Sequence, residues 1–347
     1  MKESSFLNAC YRKPTAHIPV WYMRQAGRCL PEYRKLKETH DILTLCRTPE
    51  LAAEVSLMPI RRFGVDAAIL FADIMLPLIA MGVDLDIVEK IGPVIKNPIR
   101  TAADVAKMRD IDAPRDMAYL RETIEIVRKA LDSEEFSKIA PIPLIGFSGA
   151  PFTLASYLIE GGPSREFSKV KRVMYEEPAL WHALMEKLTK NVIVYMKFQA
   201  ESGVQALQLF DSWVGCLSRA DYIEYVLPYS KEIFAALKGT RIPRIHFATN
   251  TAAFLVEFAS VDCEVVGIDW RMPLGEARKI IGPDKAIQGN LDPVILLSNV
   301  DLIKEKTDQI LAELGSTKGF IFNLGHGVLP DTPYEHLIAL TDYIDTK

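Results

Sequence analysis

Eight short apolar runs rich in β-forming residues recur along the 347-residue chain, and segments with helical periodicity separate most of them. The runs are nearly continuous in apolar residues, which is typical of strands buried on both faces. They fall at residues 19–23, 67–71, 144–147, 206–210, 244–247, 265–269, 286–288 and 319–323. The main helical segments fall at residues 49–63, 116–131, 179–202, 218–237 and 302–314. Strands that alternate with helices pair in parallel, so the sequence predicts an α/β fold.

Eight such units favour closure into a single (β/α)8 TIM barrel, and an open doubly wound sheet is the competing arrangement. One connection is unusually long, because residues 73–143 exceed what a single crossover after the second strand needs. This segment holds no Ser/Gly-rich linker. We therefore interpret it as an elaboration of the barrel and predict one catalytic domain over residues 1–347.

The net charge of −4 at pH 7 argues against a nucleic-acid-binding surface, which needs a basic face. It leaves room for a cleft in which a few arginines bind a small anionic molecule. The five cysteines are far apart and include no CxxC pair, which is typical of a reduced, intracellular protein. No signal-peptide pattern follows Met1, and no apolar run reaches the length of a membrane span. We therefore expect a cytoplasmic protein without membrane association.

The arginines after the first run are the first candidate site residues. In a barrel of this type the chemistry lies at the carboxyl ends of the strands. Arg24 and Arg28 follow the first run, with Gln25, Ala26 and Gly27 between them. Two forked guanidinium donors beside a glycine suit bidentate capture of a carboxylate or phosphate. The alternative is a surface loop whose arginines pair with nearby acids.

Four further polar residues follow other predicted strands. Asp73 lies within an apolar stretch, where it is either a helix N-cap or an acceptor that offsets a cation formed during a reaction. Ser212 follows the fourth run, and His326 stands between two glycines after the eighth. Tyr157 comes soon after the third run and either packs in the core or donates a hydrogen bond at the same end of the barrel. These positions are far apart in sequence and are predicted to converge.

Cofactor motifs are missing from the sequence. There is no HExxH, HxxEH, P-loop or strand-linked GxGxxG pattern, and no lysine ends a strand where a Schiff base would form. His246 is followed two residues later by Ala248 and not by a thiol. The sequence therefore predicts a site that uses no metal and no cofactor.

Two long segments carry a resemblance to a known family. They are PVWYMRQAGRCLPEYR at residues 19–34 and GFSGAPFTLASYLIEGG at residues 146–162. Shorter matches are FADIMLP at 71–77, QLFDSW at 208–213, QGNLDP at 288–293 and FNLGHG at 322–327. With these motifs in register from near residue 6 to the C-terminus, the chain resembles the uroporphyrinogen decarboxylase family.

The resemblance implies a (β/α)8 barrel that works as a homodimer without metal or prosthetic group. It implies removal of the four acetate carboxyl groups of uroporphyrinogen III as CO₂, giving coproporphyrinogen III in haem biosynthesis, with this tetrapyrrole as the small-molecule partner. By the same resemblance, the catalytic residues are Asp73, Arg24, Arg28, Tyr157 and His326. The substrate-binding residues are Arg24, Gln25, Ala26, Gly27, Arg28, Asp73, Tyr157, Ser212 and His326. Departures from the family pattern are Ile42, where a phenylalanine is common, and Lys37, where an arginine is sometimes found.

Two other functions compete with this interpretation. A corrinoid-linked or thiol methyltransferase shares the barrel type, but its zinc-thiolate site has no counterpart at Ala248. A non-catalytic tetrapyrrole carrier would bind the ligand and release no CO₂. The set of polar strand-end residues favours the decarboxylase.

Overall fold

A curled parallel sheet forms the centre of the protein, whose computed structural model describes residues 3–88, 91–137 and 141–347. The strands in these ranges are β1 (Ala68–Ile69), β2 (Leu85–Val88), β3 (Gly92–Ile95), β4 (Leu144–Gly149), β5 (Ala206–Asp211), β6 (Arg244–Ala248), β7 (Val265–Gly267), β8 (Ala286–Leu291) and β9 (Phe320–Leu324). Seven of them pair in parallel in the order β1-β4-β5-β6-β7-β8-β9, and β2 and β3 form an antiparallel hairpin. The mixed α/β class and the parallel pairing predicted from the sequence are confirmed.

Helices surround the sheet. The helices of the described ranges are α1 (Ser5–Cys10), α2 (Pro31–Lys37), α3 (Ile42–Arg47), α4 (Pro49–Phe63), α5 (Leu76–Ala80), α6 (Ala102–Lys107), α7 (Ala113–Asp116), α8 (Ala118–Leu131), α9 (Glu134–Ser137), α10 (Pro151–Glu160), α11 (Ser168–Glu176), α12 (Pro178–Ser202), α13 (Arg219–Tyr225), α14 (Leu227–Leu237), α15 (Leu255–Phe258), α16 (Leu274–Ile281), α17 (Val300–Leu314) and α18 (Tyr334–Asp345). The outer layer contacts the sheet where α4 packs on β1, α12 on β4 and α17 on β8. None of the helices in these ranges is both long enough and apolar enough to cross a membrane.

The helix periodicity in the sequence predicted most of this layer. The segment 49–63 coincides with α4, in which Pro49 occupies the first turn, where its missing N–H needs no partner. Helix α12 begins at Pro178 and ends at Ser202, followed by Gly203, whose φ of 113° an ordinary side chain rarely adopts. The segment 218–237 was predicted as one helix but forms α13 and α14. The break lies at Val226, where φ is −129°, because Pro228 supplies no N–H to continue the first helix.

The first predicted strand, residues 19–23, is not a regular strand. It forms a single parallel bridge, between Val20 and Phe322 of β9. The Phe322 N–H donates to the Pro19 carbonyl at 2.8 Å, and the Trp21 N–H donates to the Phe322 carbonyl at 3.3 Å. On its other side the Asp66 N–H, just before β1, donates to the Val20 carbonyl at 2.8 Å. This segment therefore contacts both edges of the seven-stranded sheet.

The long segment 73–143 has secondary structure of its own. It contains α5, the hairpin of β2 and β3, and the helices α6 to α9. The hairpin attaches through the Ile95 N–H, which donates to the Gly161 carbonyl at 2.9 Å, and α8 packs on both α4 and α12. Because its parts contact the helical layer at several places, the segment extends one side of that layer.

A chain of polar side chains crosses the concave face of the sheet. The Trp21 indole N–H donates to Gln288 Oε1 at 2.9 Å, and Gln288 Nε2 donates to Gln208 Oε1 at 3.1 Å. Gln208 and Gln288 lie on β5 and β8, which are not neighbours, so this contact spans the inside of the curled sheet. Side chains two residues apart on a strand share a face. Phe210 therefore points to the same side, closer to the carboxyl ends of the strands.

Candidate active site

A cavity of about 200 Å³ opens at the carboxyl ends of the strands. Its lining comes from the loop after residue 22, α2, α3, the end of β1 with the loop after it, β4, the ends of β5 and β6, and the loop after β9. The lining residues are Met23, Arg24, Ala26, Gly27, Arg28, Tyr33, Ile42, Ile69, Leu70, Phe71, Ala72, Asp73, Ile74, Phe147, Phe210, Ser212, Phe247, His326 and Gly327.

Arg24 and Arg28 bring positive charge to the cavity. Both side chains line it, and neither forms an ion pair with the residues that the structure describes. Burial among protein atoms lowers the pKa of Arg24, and the charge of Arg28 lowers it further. Unlike the surface loop considered above, this arrangement keeps two guanidinium groups available for an anion. The backbone of Arg24 is left-handed, with a φ of 60°.

Gln25 has a different position from its neighbours in the loop. Its side chain is fully buried and does not line the cavity. Its Oε1 accepts from the Tyr22 N–H at 2.9 Å, and its Nε2 donates to the Ala67 carbonyl at 2.9 Å. Ala26 and Gly27 do line the cavity. The structure thus places two of the three residues between the arginines at the site, and uses the side chain of the third to fasten the loop to the segment before β1.

Asp73 lines the cavity together with the two arginines, and it also forms a turn. One carboxylate oxygen, Oδ1, accepts from the Met75 N–H at 2.9 Å just before α5. Burial raises the pKa of Asp73 above its usual value, while the Met75 N–H and the charges of Arg24 and Arg28 act in the opposite direction. The alternative of a helix N-cap is not met, because Met75 is the N-cap residue of α5 and Asp73 forms a turn just before it. Asp73 lines the cavity, and its role as an acceptor there stays a prediction.

His326 lines the cavity beside the arginines. Its Nδ1 accepts from the Gly327 N–H at 2.7 Å, which leaves Nε2 as the protonated nitrogen of the neutral ring. Burial lowers its pKa to about 4, and the positive charges of Arg24, Arg271 and Arg28 contribute to the lowering. At neutral pH the ring is therefore uncharged and offers one N–H to a ligand.

We expect the imidazole of His326 to stay neutral between pH 8 and about 5.5, because its pKa is lowered from the usual ~6.5 to about 4. Its ring resonances in long-range proton–nitrogen spectra should not shift over that interval. His17 serves as the internal control, since its hydrogen bond to Asp66 raises the pKa of that ring. The His17 signals should titrate, and a His326 signal that titrates near pH 6.5 would contradict the assignment.

Ser212 and Tyr157 occupy different positions relative to the cavity. Ser212 lines it, and its carbonyl accepts from the Thr249 hydroxyl at 3.0 Å. Tyr157 lies on α10, is nearly buried, and is not among the lining residues. Its ring contacts Trp213 edge-on at a centroid distance of 6.2 Å. The phenol is close enough to Arg24 for that charge to act on its pKa, which burial raises.

An aromatic floor, formed by Phe147, Phe210 and Phe247, was missed in the sequence. Phe147 and Phe210 meet edge-on at 5.6 Å, and Phe210 and Phe247 at 5.8 Å. Each is the last residue of a predicted β-rich run, so its position at a strand end was visible. Which face of the strand it occupies was not, because runs buried on both faces lack alternation. The floor gives the cavity an apolar base beneath its charged wall.

His246, considered above as a position next to a possible metal ligand, lies outside the cavity lining. Its ring stacks on Phe258 at 3.8 Å, and Nδ1 lies 3.3 Å from the Phe258 carbonyl. Burial lowers its pKa to about 3. Across the described ranges, no three His, Cys, Asp or Glu side chains converge as metal ligands.

Comparison with solved structures supports the fold. A methyltransferase from Methanosarcina mazei superposes with a TM-score of 0.78 at 19% sequence identity, over 99% of this chain and 98% of that one. A B12-independent methionine synthase from Shewanella sp. W3-18-1 superposes with a TM-score of 0.57 at 9% identity, over 86% of this chain and 88% of that one. At such identities the likeness concerns the fold alone.

Sequence comparison is more specific. The family profile described as Uroporphyrinogen decarboxylase (URO-D) matches residues 1–346. The uroporphyrinogen decarboxylase of Streptomyces coelicolor is 49% identical over 345 residues, which cover 99% of this chain and 95% of that protein. The uroporphyrinogen decarboxylase of Carboxydothermus hydrogenoformans is 48% identical over 340 residues, covering 98% and 95%. The chain belongs to the uroporphyrinogen decarboxylase family.

Proposed function

We propose that this chain is a carboxy-lyase that removes the four acetate carboxyl groups of uroporphyrinogen III as CO₂. The product is coproporphyrinogen III, in porphyrin and haem biosynthesis. The observation that carries the proposal is the pairing, in one cavity, of two arginines free to bind carboxylates with one half-buried aspartate. Family membership supplies the identity of the tetrapyrrole.

The charges that line the cavity fit a substrate with negative carboxylates at its edge and N–H groups at its centre. Arg24 and Arg28 suit the acetate carboxylates, because a guanidinium binds a carboxylate through two parallel N–H bonds. Asp73 suits the pyrrole N–H groups and any positive charge that develops on the ring. Ser212 and the Nε2–H of His326 offer further hydrogen bonds to carboxylates. Phe210 and its two neighbours in the aromatic floor provide an apolar surface for the macrocycle.

Each decarboxylation consumes one proton and releases one CO₂. Protonation of a pyrrole ring carbon creates a cation that accepts the electron pair of the breaking C–CO₂ bond. The exocyclic carbon then takes a proton to become methyl, and the ring carbon loses the proton that it gained. Asp73 lowers the energy of the cation through its negative charge. Nothing in this sequence of steps requires a metal or an organic cofactor.

Three candidates can supply the proton, namely a water bound by an arginine, Tyr157 and His326. His326 is neutral at neutral pH, because its pKa is lowered to about 4, so it suits hydrogen-bond donation better than acid catalysis. Tyr157 holds its proton more tightly than an ordinary tyrosine, because burial raises its pKa. We therefore favour a water bound by Arg24 as the proton donor.

The proposal includes the architecture expected from the family. Residues 19–23, the first predicted strand, join the seven strands of the sheet and close a (β/α)8 barrel. Residues 73–143 are an elaboration of this barrel, and residues 1–347 form one domain. The hydrogen bonds of residues 19–21 with Phe322 of β9 on one side and with Asp66 on the other support closure at this place. We further propose that the protein is cytoplasmic and forms a homodimer. Light scattering on the purified protein tests the dimer. Tyr157 is proposed to reach the substrate once the macrocycle fills the cavity.

Incubation with uroporphyrinogen III, without added cofactor, tests the function. We expect stepwise loss of CO₂ and a final product that co-chromatographs with coproporphyrinogen III after oxidation. Treatment with a metal chelator should leave the rate unchanged. Binding without CO₂ release would identify a carrier instead. A stoichiometric zinc ion required for activity would favour the methyltransferase alternative.

Arg28→Ala is expected to lower kcat/KM by about 10- to 150-fold. The loss of a charge-assisted hydrogen bond costs about 1.5–3 kcal/mol, and each ~1.4 kcal/mol corresponds to a factor of ten. Arg28→Lys should restore only part of the activity, because an ammonium cannot form the forked contact. Steady-state kinetics at subsaturating substrate measure both variants. Unchanged kinetics for the alanine variant would remove Arg28 from the site.

A further inference from the structure

Asn323 on β9 is fully buried and accepts two backbone hydrogen bonds. Its Oδ1 accepts from the Met23 N–H at 3.1 Å and from the Leu324 N–H at 2.8 Å. Both partners are donors, so the oxygen must face them. Its Nδ2 has no hydrogen-bond partner among the described residues. The hydrogen bonds that this amide forms in the structure therefore go through its oxygen.

The bond to Met23 acts on the residue immediately before Arg24. The backbone of Met23 is held at both ends, because its carbonyl also accepts from the Val328 N–H at 2.8 Å. Arg24 itself has a φ of 60°, a strained conformation that a residue with a side chain keeps only when its surroundings impose it. Asn323 and Val328 supply that constraint from one side of the loop. Gln25 supplies it from the other.

The same strand end carries His326. Asn323 precedes it by three residues, and Gly327 follows it. A Cβ on Gly327 would collide with the side chain of Arg24, so the two loops are in close contact. One buried amide thus ties a loop from the start of the chain to a loop from its end, and each of these loops contributes a polar group to the cavity.

We infer that Asn323 is a positioning residue, which fixes Arg24 relative to His326 without contacting the substrate. The kinetic part of this inference rests on the proposed function, whereas its structural part does not. Removal of the oxygen should release Met23 and let Arg24 leave its left-handed conformation. A displacement of about 1 Å at a catalytic group can reduce a rate ~10²-fold.

Asn323→Leu removes the acceptor at similar size, and we expect kcat/KM to fall by about 10²-fold. Asn191→Leu is the matched control, because Asn191 lies on α12, away from the cavity, and is also buried. Its Oδ1 accepts from the Ile111 N–H at 2.7 Å. Both variants should lose thermal stability. Only the variant at residue 323 should lose turnover, and an equal kinetic loss in both would overturn the inference.

A double-mutant cycle with Arg24→Ala separates positioning from a general structural defect. If Asn323 acts through Arg24, the Leu substitution should have little further effect on kcat/KM once Arg24 is absent, since residues in one network are not additive. Independent losses that multiply to about the product of the two single effects would contradict the inference.

Asn323→Asp keeps an oxygen acceptor for both N–H groups and covers the case in which the leucine variant does not fold. Its kcat/KM should stay within about threefold of wild type. If the aspartate variant folds and its kcat/KM nevertheless falls by about 10²-fold, as expected for the leucine variant, the role of the oxygen is refuted.

Crystal structures of the wild-type protein and of either variant give a result that does not depend on turnover. Arg24 should lose its positive φ and its contact with Gly327 in the leucine variant and keep both in the aspartate variant. An unmoved Arg24 in the leucine variant would refute the inference. A wild-type protein that forms no coproporphyrinogen would instead refute the proposed function and leave this structural result to be judged by itself.

Discussion

Asp73→Asn is expected to lower the rate of CO₂ release by about 10²-fold or more, while the protein remains folded. The reason is electrostatic, because asparagine has nearly the volume of aspartate but no negative charge to oppose a cation on the substrate. Loss of one preorganised group of this kind costs about 10²- to 10³-fold in kcat. The turn before α5 should survive, because the asparagine oxygen can still accept from the Met75 N–H. Single-turnover CO₂ release and the melting temperature measure the two effects.

Asp292→Asn is the matched control for this change. Asp292 makes the same bond two residues ahead, with its Oδ1 accepting from the Val294 N–H at 2.9 Å, and it does not line the cavity. The control should keep both activity and stability. Asp73→Glu should also be poor, because the added methylene displaces the carboxylate by about 1 Å. If the folded Asp73→Asn variant turned over at a near wild-type rate, the residue would be a turn former only.

The same aspartate predicts a pH dependence. Burial raises the pKa of Asp73, so its carboxylate is lost on acidification at a higher pH than the ~3.9 of an ordinary aspartate. The acidic limb of the kcat profile should therefore lie above that value in the wild-type enzyme. It should be absent from the residual activity of the Asn variant.

Much of the fold could be predicted because burial leaves a clear pattern in the sequence. The runs that became β4, β5 and β9 are mostly apolar, and α4 matches its predicted bounds. At residues 19–23 the structure has one parallel bridge, between Val20 and Phe322, and not a regular strand. The run at 19–23 has strand composition, but the Met23 N–H binds the side chain of Asn323 and not the backbone of a neighbouring strand. Asn323 is 300 residues away in the sequence, so the strand propensity of residues 19–23 does not indicate this contact.

The candidate site was predictable to the extent that topology selects strand ends. This reasoning brought Arg24, Asp73, Ser212 and His326 to one cavity. It could not distinguish a side chain that faces the cavity from one that turns away, as Gln25 does. That difference depends on which backbone groups lack partners near the residue, and in this protein they belong to Tyr22 and to the segment before β1.

Gly327→Ala is expected to reduce kcat/KM by about 10²-fold with only a small change in melting temperature. A Cβ at this position would meet the side-chain carbons of Arg24, so the guanidinium must move. Gly327 has no positive φ, and alanine can adopt its backbone conformation. The strain therefore falls on the arginine and not on the main chain. Because the reaction depends on where the guanidinium lies, a shift of about 1 Å is enough for a loss of this size.

Gly239→Ala provides the control for this last prediction. Gly239 also lacks a positive φ, and a Cβ there would meet no heavy atom within 4 Å, so the substitution adds the same methyl group without a collision. Its kinetics and melting temperature should match the wild type. Arg24→Lys in the Gly327→Ala background should cost less than it does in the wild type, because a displaced guanidinium has already lost its forked contact. If Gly327→Ala kept the wild-type kcat/KM, the side-chain carbons of Arg24 could move away from the methyl group without displacing the guanidinium, and the prediction would be wrong.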